Sequence, residues 1–313
     1  MENPKQLAII VPAYNEEEIL KQSAKTLVDL LQSLIEDKLI AANSYICFVN
    51  DGSRDQTWQI IEELSQESKY IKGIKLARNF GHQSALLAGL FEMQAELYVS
   101  IDADLQDDEK VIREMVLQNN GGFDVVYGVR AKREVDGFLK RATALGFYKL
   151  MALMGVQTVY NHADFRLLSN RAVEALKQFP ETNLFLRGLV PLIGFVSTSV
   201  FYNRKARLAG ETKYPLRKML SFAWEGITSF SVQPLKIATV MGFLMCFVSF
   251  ILLLYSLWAH YYGHTESGWT SLIFSIYFLG GVQLFCIGII GEYMGKVYKE
   301  VKHRPRFIIE KKL

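Results

Sequence analysis

Leu97–Asp108 reads LYVSIDADLQDD: a short apolar run broken only by Ser100, then four carboxylates within seven positions. An apolar run of this length bounded by a sharp polar stop predicts a buried strand. Asp102 and Asp104 then stand one residue apart where that strand ends. Carboxylates clustered there repel one another and lose solvation, which makes physical sense if a hard divalent cation or a cationic ligand neutralises them. Mg2+ or Mn2+ fits that role. Taken alone, the pair equally suits the cap of a following helix.

The flanking sequence supplies the context. Leu7–Val11 is an apolar run stopped by Pro12, and a helical pattern covers about Glu16–Ile35. Tyr45–Val49 is strand-like and ends at Asn50, Asp51 and Gly52; Gln56–Ser65 is helical, Gly73–Leu76 a third strand, and Gln83–Gln94 a further helix. Strands and helices alternating at this spacing predict an α/β domain with a mainly parallel sheet and helices on both faces. In such sheets ligands bind beyond the carboxyl ends of the strands. Three strand ends carry the unusual polar residues: Pro12–Glu16, Asn50–Ser53 and Asp102–Asp104. Asp51 could accept hydrogen bonds from a base or ribose, with Pro12, Tyr14 and Glu16 framing a nucleoside; the alternatives are an Asx turn at Asp51 and a helix start near Asn15 and Glu16. No GxGxxG follows the first strand and no GxxxxGK[ST] occurs, which disfavours a dinucleotide enzyme and a P-loop ATPase. A sugar nucleotide held through a cation remains the better fit, since such an ion bridges carboxylate to pyrophosphate oxygens.

Beyond Gln233 the composition changes. Leu235–Trp258 and Ser271–Gly291 are long apolar runs that as helices would span roughly 36 and 31 Å, enough to cross a bilayer. Lys and Arg lie before the first run and after the second, from Arg204 to Lys236 and from Lys296 to Arg306, and none lies in the connecting loop Ala259–Thr270. By the positive-inside rule both termini and the large domain face the cytoplasm of a cell (plasma or inner) membrane, with Trp258, Tyr261, Tyr262 and Trp269 as interface anchors. Leu216, Met219, Leu220, Ala223, Ile227 and Phe230 recur at helical spacing, predicting an amphipathic helix in the headgroup layer. The expected divisions are a catalytic domain over 1–214, the interfacial helix over 215–233, a transmembrane hairpin over 234–292 and a basic cytoplasmic tail over 293–313. Gly288, Gly291 and Gly295 would permit close helix packing, so a homo-oligomer is allowed but not required. A net charge of +3 without a basic arm argues against nucleic acid. Cys47, Cys246 and Cys286 have neither disulfide nor metal spacing. The first residues do not form a signal peptide.

The ordered motifs VPAYNEEE at Val11, VNDGSRDQT at Val49, LARNFGHQSALLAGL at Leu76 and DADLQDD at Asp102 resemble the family 2 glycosyltransferases of GT-A fold. HADFRLLS at His162, RLAGETKYPLRKML at Arg207 and the two terminal spans make the chain similar to polyprenyl-phosphate glycosyltransferases across nearly its whole length. The resemblance implies inverting transfer of a single sugar from a UDP-sugar to undecaprenyl phosphate at the cytoplasmic leaflet, dependent on Mg2+ or Mn2+. It implies nucleotide contacts from Pro12, Tyr14, Glu16, Asp51, Asp102 and Ala103, metal ligation by Asp102 and Asp104, and a donor-sugar contact from Gln106. Arg130, Arg207 and Lys213 would lie near phosphate groups, and Asp104, Asp164 and Arg130 are the expected catalytic residues. The Gln-x-x-Arg-Trp signature of processive synthases is absent, which favours a single transfer. Such enzymes usually act with a flippase and a second, outward-facing transferase. Glucose and N-acetylglucosamine both suit the donor.

A phosphate monoester with a second pKa of roughly 6 is largely dianionic at neutral pH, so a general base is optional. The resemblance puts Asp164, with Arg166, where a base would be expected, yet Asp164 could instead orient the acceptor or sugar, or balance Arg166. Arg130, Arg133, Lys140 and Arg141 could draw an anionic headgroup to the membrane surface. His82 and His162 show no partner pattern and read as structural. A same-fold transferase acting on a glycolipid, diacylglycerol or protein hydroxyl would make Asp164 indispensable. A catalytically silent membrane adaptor fits the intact acidic motif poorly.

Overall fold

The computed structural model describes residues 3–130, 162–181, 186–203, 227–228, 231–262 and 268–313. It divides into two compact units: one holds the sheet and includes the C-terminal residues 304–313, the other the apolar helices. In the first, β1 (Leu7–Ala13), β2 (Tyr45–Asn50), β3 (Ile71–Leu76) and β4 (Leu97–Ser100) alternate with α1 (Leu20–Glu36), α2 (Thr57–Glu67) and α3 (His82–Glu92). α4 (Val111–Asn120), β5 (Val125–Arg130), β6 (His162–Ser169), α5 (Asn170–Lys177), α6 (Leu186–Leu192) and β7 (Ser197–Tyr202) follow. The sheet order is β7-β5-β6-β4-β1-β2-β3, continued by a last strand, β8 (Ile309–Lys312). β4, β1, β2 and β3 run parallel; β6 is antiparallel to both β4 and β5, and β5 and β7 pair in parallel.

β1 and β2 are buried at every position, which is why they read as continuous apolar runs rather than alternating ones. α1 buries Leu20, Ala24, Leu27, Leu31 and Leu34 at helical spacing against this sheet. Each of these leucines contributes about 1.5–3 kcal/mol on removal from water. α1 begins four residues later than its periodicity suggests. Asn15 adopts a left-handed φ of 56°, and the Glu16 carbonyl accepts from the N–H groups of Ile19 and Leu20, so Glu16–Glu18 form a turn beside the strand ends instead of a first helical turn.

The predicted basic tail over 293–313 is reassigned. A helix runs on to Val301, and Ile309–Lys312 pairs antiparallel with β3 as an edge strand. Leu313 N–H donates to the Gly73 carbonyl at 2.8 Å and Ala77 N–H to the Ile308 carbonyl at 2.9 Å. Lys75–Glu310 and Lys311–Glu62 ion pairs flank the strand at 2.7 and 2.6 Å. Exposed pairs of this kind add little, so the backbone ladder is what matters: without β8 the edge of β3 would present unpaired N–H and C=O groups. The sheet domain therefore does not end at residue 214 but includes the end of the chain.

The second unit contains α7 (Gln233–Tyr261) and α8 (Trp269–Val301). Both are long and apolar enough to cross a membrane, with mean hydropathy of 2.2 over Gln233–Leu252 and 1.5 over Ser275–Val301. Phe243, Phe247, Tyr277 and Leu284 are exposed, as side chains facing lipid would be. Tyr293 donates its hydroxyl to the Ser231 carbonyl at 2.5 Å, linking the two helical segments. Trp258 lies 5.2 Å from Tyr262 between ring centroids, an aromatic group at the end of α7. The predicted interfacial helix over 215–233 lies almost wholly outside the described residues.

Two stability outcomes follow from these contacts. Deleting Ile309–Leu313 lowers the melting temperature by about 4 °C or more, at ~2–4 °C per kcal/mol for a domain of this size, and promotes aggregation in light scattering. Gly52 has φ +65°, and a Cβ there would lie 2.4 Å from the backbone carbon of Arg78. Gly52→Ala therefore costs about 1–3 kcal/mol, measured by thermal melting.

Candidate active site

The first two strand ends are stitched together by side chain to backbone hydrogen bonds. Asn15 N–H donates to Ser53 Oγ at 3.0 Å, Arg54 N–H to Asn15 Oδ1 at 2.9 Å, and Glu16 N–H to Thr57 Oγ1 at 2.9 Å. The polar residues after β1 and β2 thus fix each other's loops. Asp51 does not form the Asx turn that its sequence also allowed; its neighbour Asn50 closes the loop instead, its Oδ1 accepting from Ser53 N–H, three residues on, at 3.2 Å. The Asp51 carboxylate instead accepts Phe80 N–H at 2.7 Å and Gly81 N–H at 2.9 Å, which ties β2 to the entry of α3. Burial raises its pKa, and those two N–H groups pull the other way.

The acidic loop after β4 is held from several sides. Ser23 on α1 donates to the Ala103 carbonyl at 2.6 Å, and Asp104 Oδ1 accepts Gln106 N–H at 3.3 Å. His82 Nε2 lies 3.4 Å from Asp102 Oδ1. Burial pushes the Asp102 carboxyl above the usual carboxylate range; His82 opposes this, and the charges of Asp164, Asp107 and Asp104 add to it. Asp107, at the far end of the loop, is buried and paired to Arg130 at 3.0 Å. Burial disfavours the Arg130 charge, and Asp107 together with Tyr202 more than restores it.

Pro12, Ala13, Tyr14, Glu16, Asp51, Asn79, Gly81, His82, Asp102, Ala103, Asp104 and Asp164 line one cleft of about 390 Å³. A second hollow of about 580 Å³ shares Glu16 and Asp104 with it and adds Arg54 and Asp55. All but one of the residues expected to contact the donor, among those described, are therefore brought together. Gln106 is the exception: it is 3% exposed, does not line the cleft, and its Nε2 has no hydrogen-bond partner among the described residues. Arg130 also departs from expectation. It pairs with Asp107 rather than lining the cleft, so it braces the acidic loop against the end of β5. Arg207, Lys213, Arg133, Lys140 and Arg141 lie outside the described residues, as does the His162 side chain.

Asp164 on β6 enters the cleft from the antiparallel part of the sheet. Arg166 reaches its Oδ1 at 2.5 Å, and Arg187 on α6 reaches its Oδ2 at 3.3 Å. Burial alone would raise the Asp164 pKa, but the two guanidiniums hold it well below the usual carboxylate range. Arg166 is 2% exposed and also donates to the Leu186 carbonyl at 3.2 Å, while Gln83 accepts Leu186 N–H at 3.0 Å. Two of these partners were not read from the sequence. His82 shows no partner pattern in the sequence, yet it follows Gly81, whose φ of +95° turns the chain into α3 at the cleft. Arg187 sits in the apolar stretch LFLRGLV, where nothing local marks it.

The described residues contain no cluster of three or more His, Cys, Asp or Glu side chains arranged to hold a metal. Asp102 and Asp104 nonetheless suit a magnesium-like ion, which keeps several waters and takes one or two carboxylates together with substrate phosphate oxygens. A cation there would offset the desolvation of the Asp102 charge, to which the neighbouring carboxylates add.

Comparison with known proteins identifies the family. The profile described as Glycosyl transferase family 2 matches residues 8–177, and that described as GtrB C-terminal hairpin matches 233–297. The chain is 53% identical over 306 residues to an uncharacterized glycosyltransferase, YkoT, of Bacillus subtilis, covering 97% of this chain and 91% of that protein. It is 39% identical over 310 residues to the SfII prophage-derived bactoprenol glucosyl transferase of Shigella flexneri, covering 97% of each. Among solved structures it resembles the mannosyltransferase PcManGT of Pyrobaculum calidifontis, with a TM-score of 0.48 and 14% identity over 94% of this chain and 88% of that one. With its mainly parallel GT-A sheet and its apolar C-terminal hairpin, this chain belongs to the family 2 glycosyltransferases.

Proposed function

We propose that the chain transfers one glucosyl unit from UDP-glucose to undecaprenyl phosphate, with inversion at the anomeric carbon, at the cytoplasmic face of a membrane crossed by α7 and α8. The observation that carries this reading is the state of Asp164. The one cleft carboxylate placed as a base on β6 is gripped by Arg166 and Arg187, and its proton affinity is depressed. A hydroxyl acceptor requires a group able to take its proton as it attacks. A phosphate monoester, largely dianionic at neutral pH, requires none. Support for the lipid and the sugar comes from relatives named bactoprenol glucosyl transferases that align along 97% of the chain.

In the transfer, a phosphate oxygen of the acceptor forms a bond to the anomeric carbon. The bond from that carbon to the diphosphate oxygen breaks, and its electron pair leaves with UDP. Pro12, Tyr14 and Glu16 frame the nucleoside, and Asp51 keeps the Phe80–Gly81 backbone in place at its side. Asp102 and Asp104 would hold a divalent cation, which when bound neutralises charge developing on the departing diphosphate. His82 orients Asp102. Arg130, through Asp107, keeps the loop carrying both carboxylates in register with β5. Asp164 acts as a fixed anion that aligns two guanidiniums, so its contribution is positional and electrostatic.

The direct test incubates the full-length protein in lipid nanodiscs with undecaprenyl phosphate, Mg2+ or Mn2+, and UDP-glucose, UDP-N-acetylglucosamine or GDP-mannose in turn. UDP release with formation of glucosyl phospholipid is expected with UDP-glucose, and chelation by EDTA abolishes it. Release that is fastest with N-acetylglucosamine reassigns the donor, and release only with hydroxyl-bearing lipids overturns the acceptor. A second outcome concerns pH. The rate falls below about pH 6, as the acceptor phosphate gains its second proton. Asp164→Asn lowers kcat about tenfold or more while leaving that acid limb and the KM for UDP-glucose unchanged. Loss of the limb in Asp164→Asn would assign Asp164 as the base.

A further inference from the structure

Two guanidiniums face the single carboxylate of Asp164, and they are not equivalent. Arg166 is enclosed, sits 2.5 Å from Asp164 Oδ1 and spends a second donor on the Leu186 carbonyl at 3.2 Å. It is sufficient as the counter-ion. Arg187 contacts the same carboxylate only loosely, at 3.4 Å from Oδ1 and 3.3 Å from Oδ2, and its side chain remains 35% exposed. One positive charge is therefore in surplus beside Asp164, which lines the cleft although Arg187 itself does not. The backbone of α6 beside Arg187 is itself fixed, since both polar backbone groups of Leu186 are taken by buried or half-buried side chains, Gln83 and Arg166. An arginine that only neutralised Asp164 would have no need of so fixed a base.

The other groups around the cleft restrict what this surplus can serve. Asp102 and Asp104 lie on the β4 side, where the donor diphosphate is to be held through a cation. Arg130 is committed to Asp107. Arg78 lies over the Phe80 ring and donates to the Asn79 carbonyl. Among the described residues, Arg187 is the guanidinium beside Asp164 with exposed donors left over. A guanidinium presents five donors in a planar fork that matches phosphate oxygens in pairs, so it can keep one edge on Asp164 and offer the other.

We infer that Arg187 binds the phosphate of the lipid acceptor, with Asp164 and Arg166 holding the guanidinium at the angle that aims a phosphate oxygen at the donor sugar. This rests on the polyprenyl-phosphate reading above. It also gives Asp164 a task that does not involve a proton: it is the positioning residue, and Arg187 is the group that touches substrate. An additional anionic headgroup is attracted in the same way, but only the acceptor's phosphate must sit within bonding distance of the sugar.

The test is a split of Michaelis constants in nanodiscs, with undecaprenyl phosphate and UDP-glucose varied separately. Arg187→Gln raises the KM for undecaprenyl phosphate about tenfold or more, the scale of a lost hydrogen bond to a charged group, and changes the KM for UDP-glucose less than twofold. Arg187→Lys, which keeps the charge and loses the fork, gives a smaller rise in the same constant and serves where the Gln variant does not fold. Equal rises in both constants, or an unchanged acceptor KM in either folded variant, overturn the assignment of Arg187 alone. Absence of lipid-phosphate turnover by the unsubstituted protein overturns the underlying reading and the inference with it.

Discussion

The constraint on which the site depends is the crowding of carboxylates at the carboxyl ends of buried strands. Asp51, Asp102, Asp104, Asp107 and Asp164 meet there, in or beside one cleft, where like charges this close cannot be left unanswered. Each answer fixes a piece of backbone. Asp51 takes two N–H groups and thereby sets the entry to α3; Asp107 takes Arg130 and binds the acidic loop to β5; Asp164 takes two guanidiniums and positions α6. Among the described residues, Asp102 has only His82 at 3.4 Å, and Asp104 only the Gln106 N–H of its own loop. The least satisfied pair is the one suited to a cation and a diphosphate. The distribution of partners thus separates carboxylates that build the site from those left to bind within it.

A second organising feature is the return of the chain. The apolar hairpin is inserted between two segments of the same compact unit, because residues 304–313 rejoin the sheet domain and β8 covers the edge of β3. The connection to the hairpin is therefore made twice in sequence, once from the segment that follows β7 and once to β8. As an edge strand it satisfies the outer backbone groups of β3.

The acceptor reading turns on a comparison of proton affinities rather than on the presence of an acid. A carboxylate at the position of Asp164 suggests a base when only the motif is visible. Its two guanidinium neighbours make the same carboxylate a weak one, and chemistry that needs no base then becomes the consistent choice. In the same way an arginine near a strand end suggests a phosphate ligand, yet Arg130 is engaged by Asp107, and Arg187, which has no motif to mark it, keeps its donors exposed.

The sequence by itself determined the order of strands and helices through β4, the clustering of polar residues at three strand ends, and the two apolar helices, because burial and periodicity are local properties that leave their mark on neighbouring residues. It placed element ends less well: α1 starts at Leu20, since the left-handed Asn15 and the hydrogen bonds to Ser53 and Thr57 turn Glu16–Glu18 toward the next loop. Only the tertiary structure decided that Ile309–Lys312 is an edge strand, that His82 faces Asp102, that Gln106 is buried, and that Arg187 shares Asp164 with Arg166. Each of these depends on a partner between 20 and more than 200 residues away, with the burial of Gln106 set by the whole fold. A charge's role is set by what neutralises it, and that partner is chosen by the fold, not by the neighbouring residues in the chain.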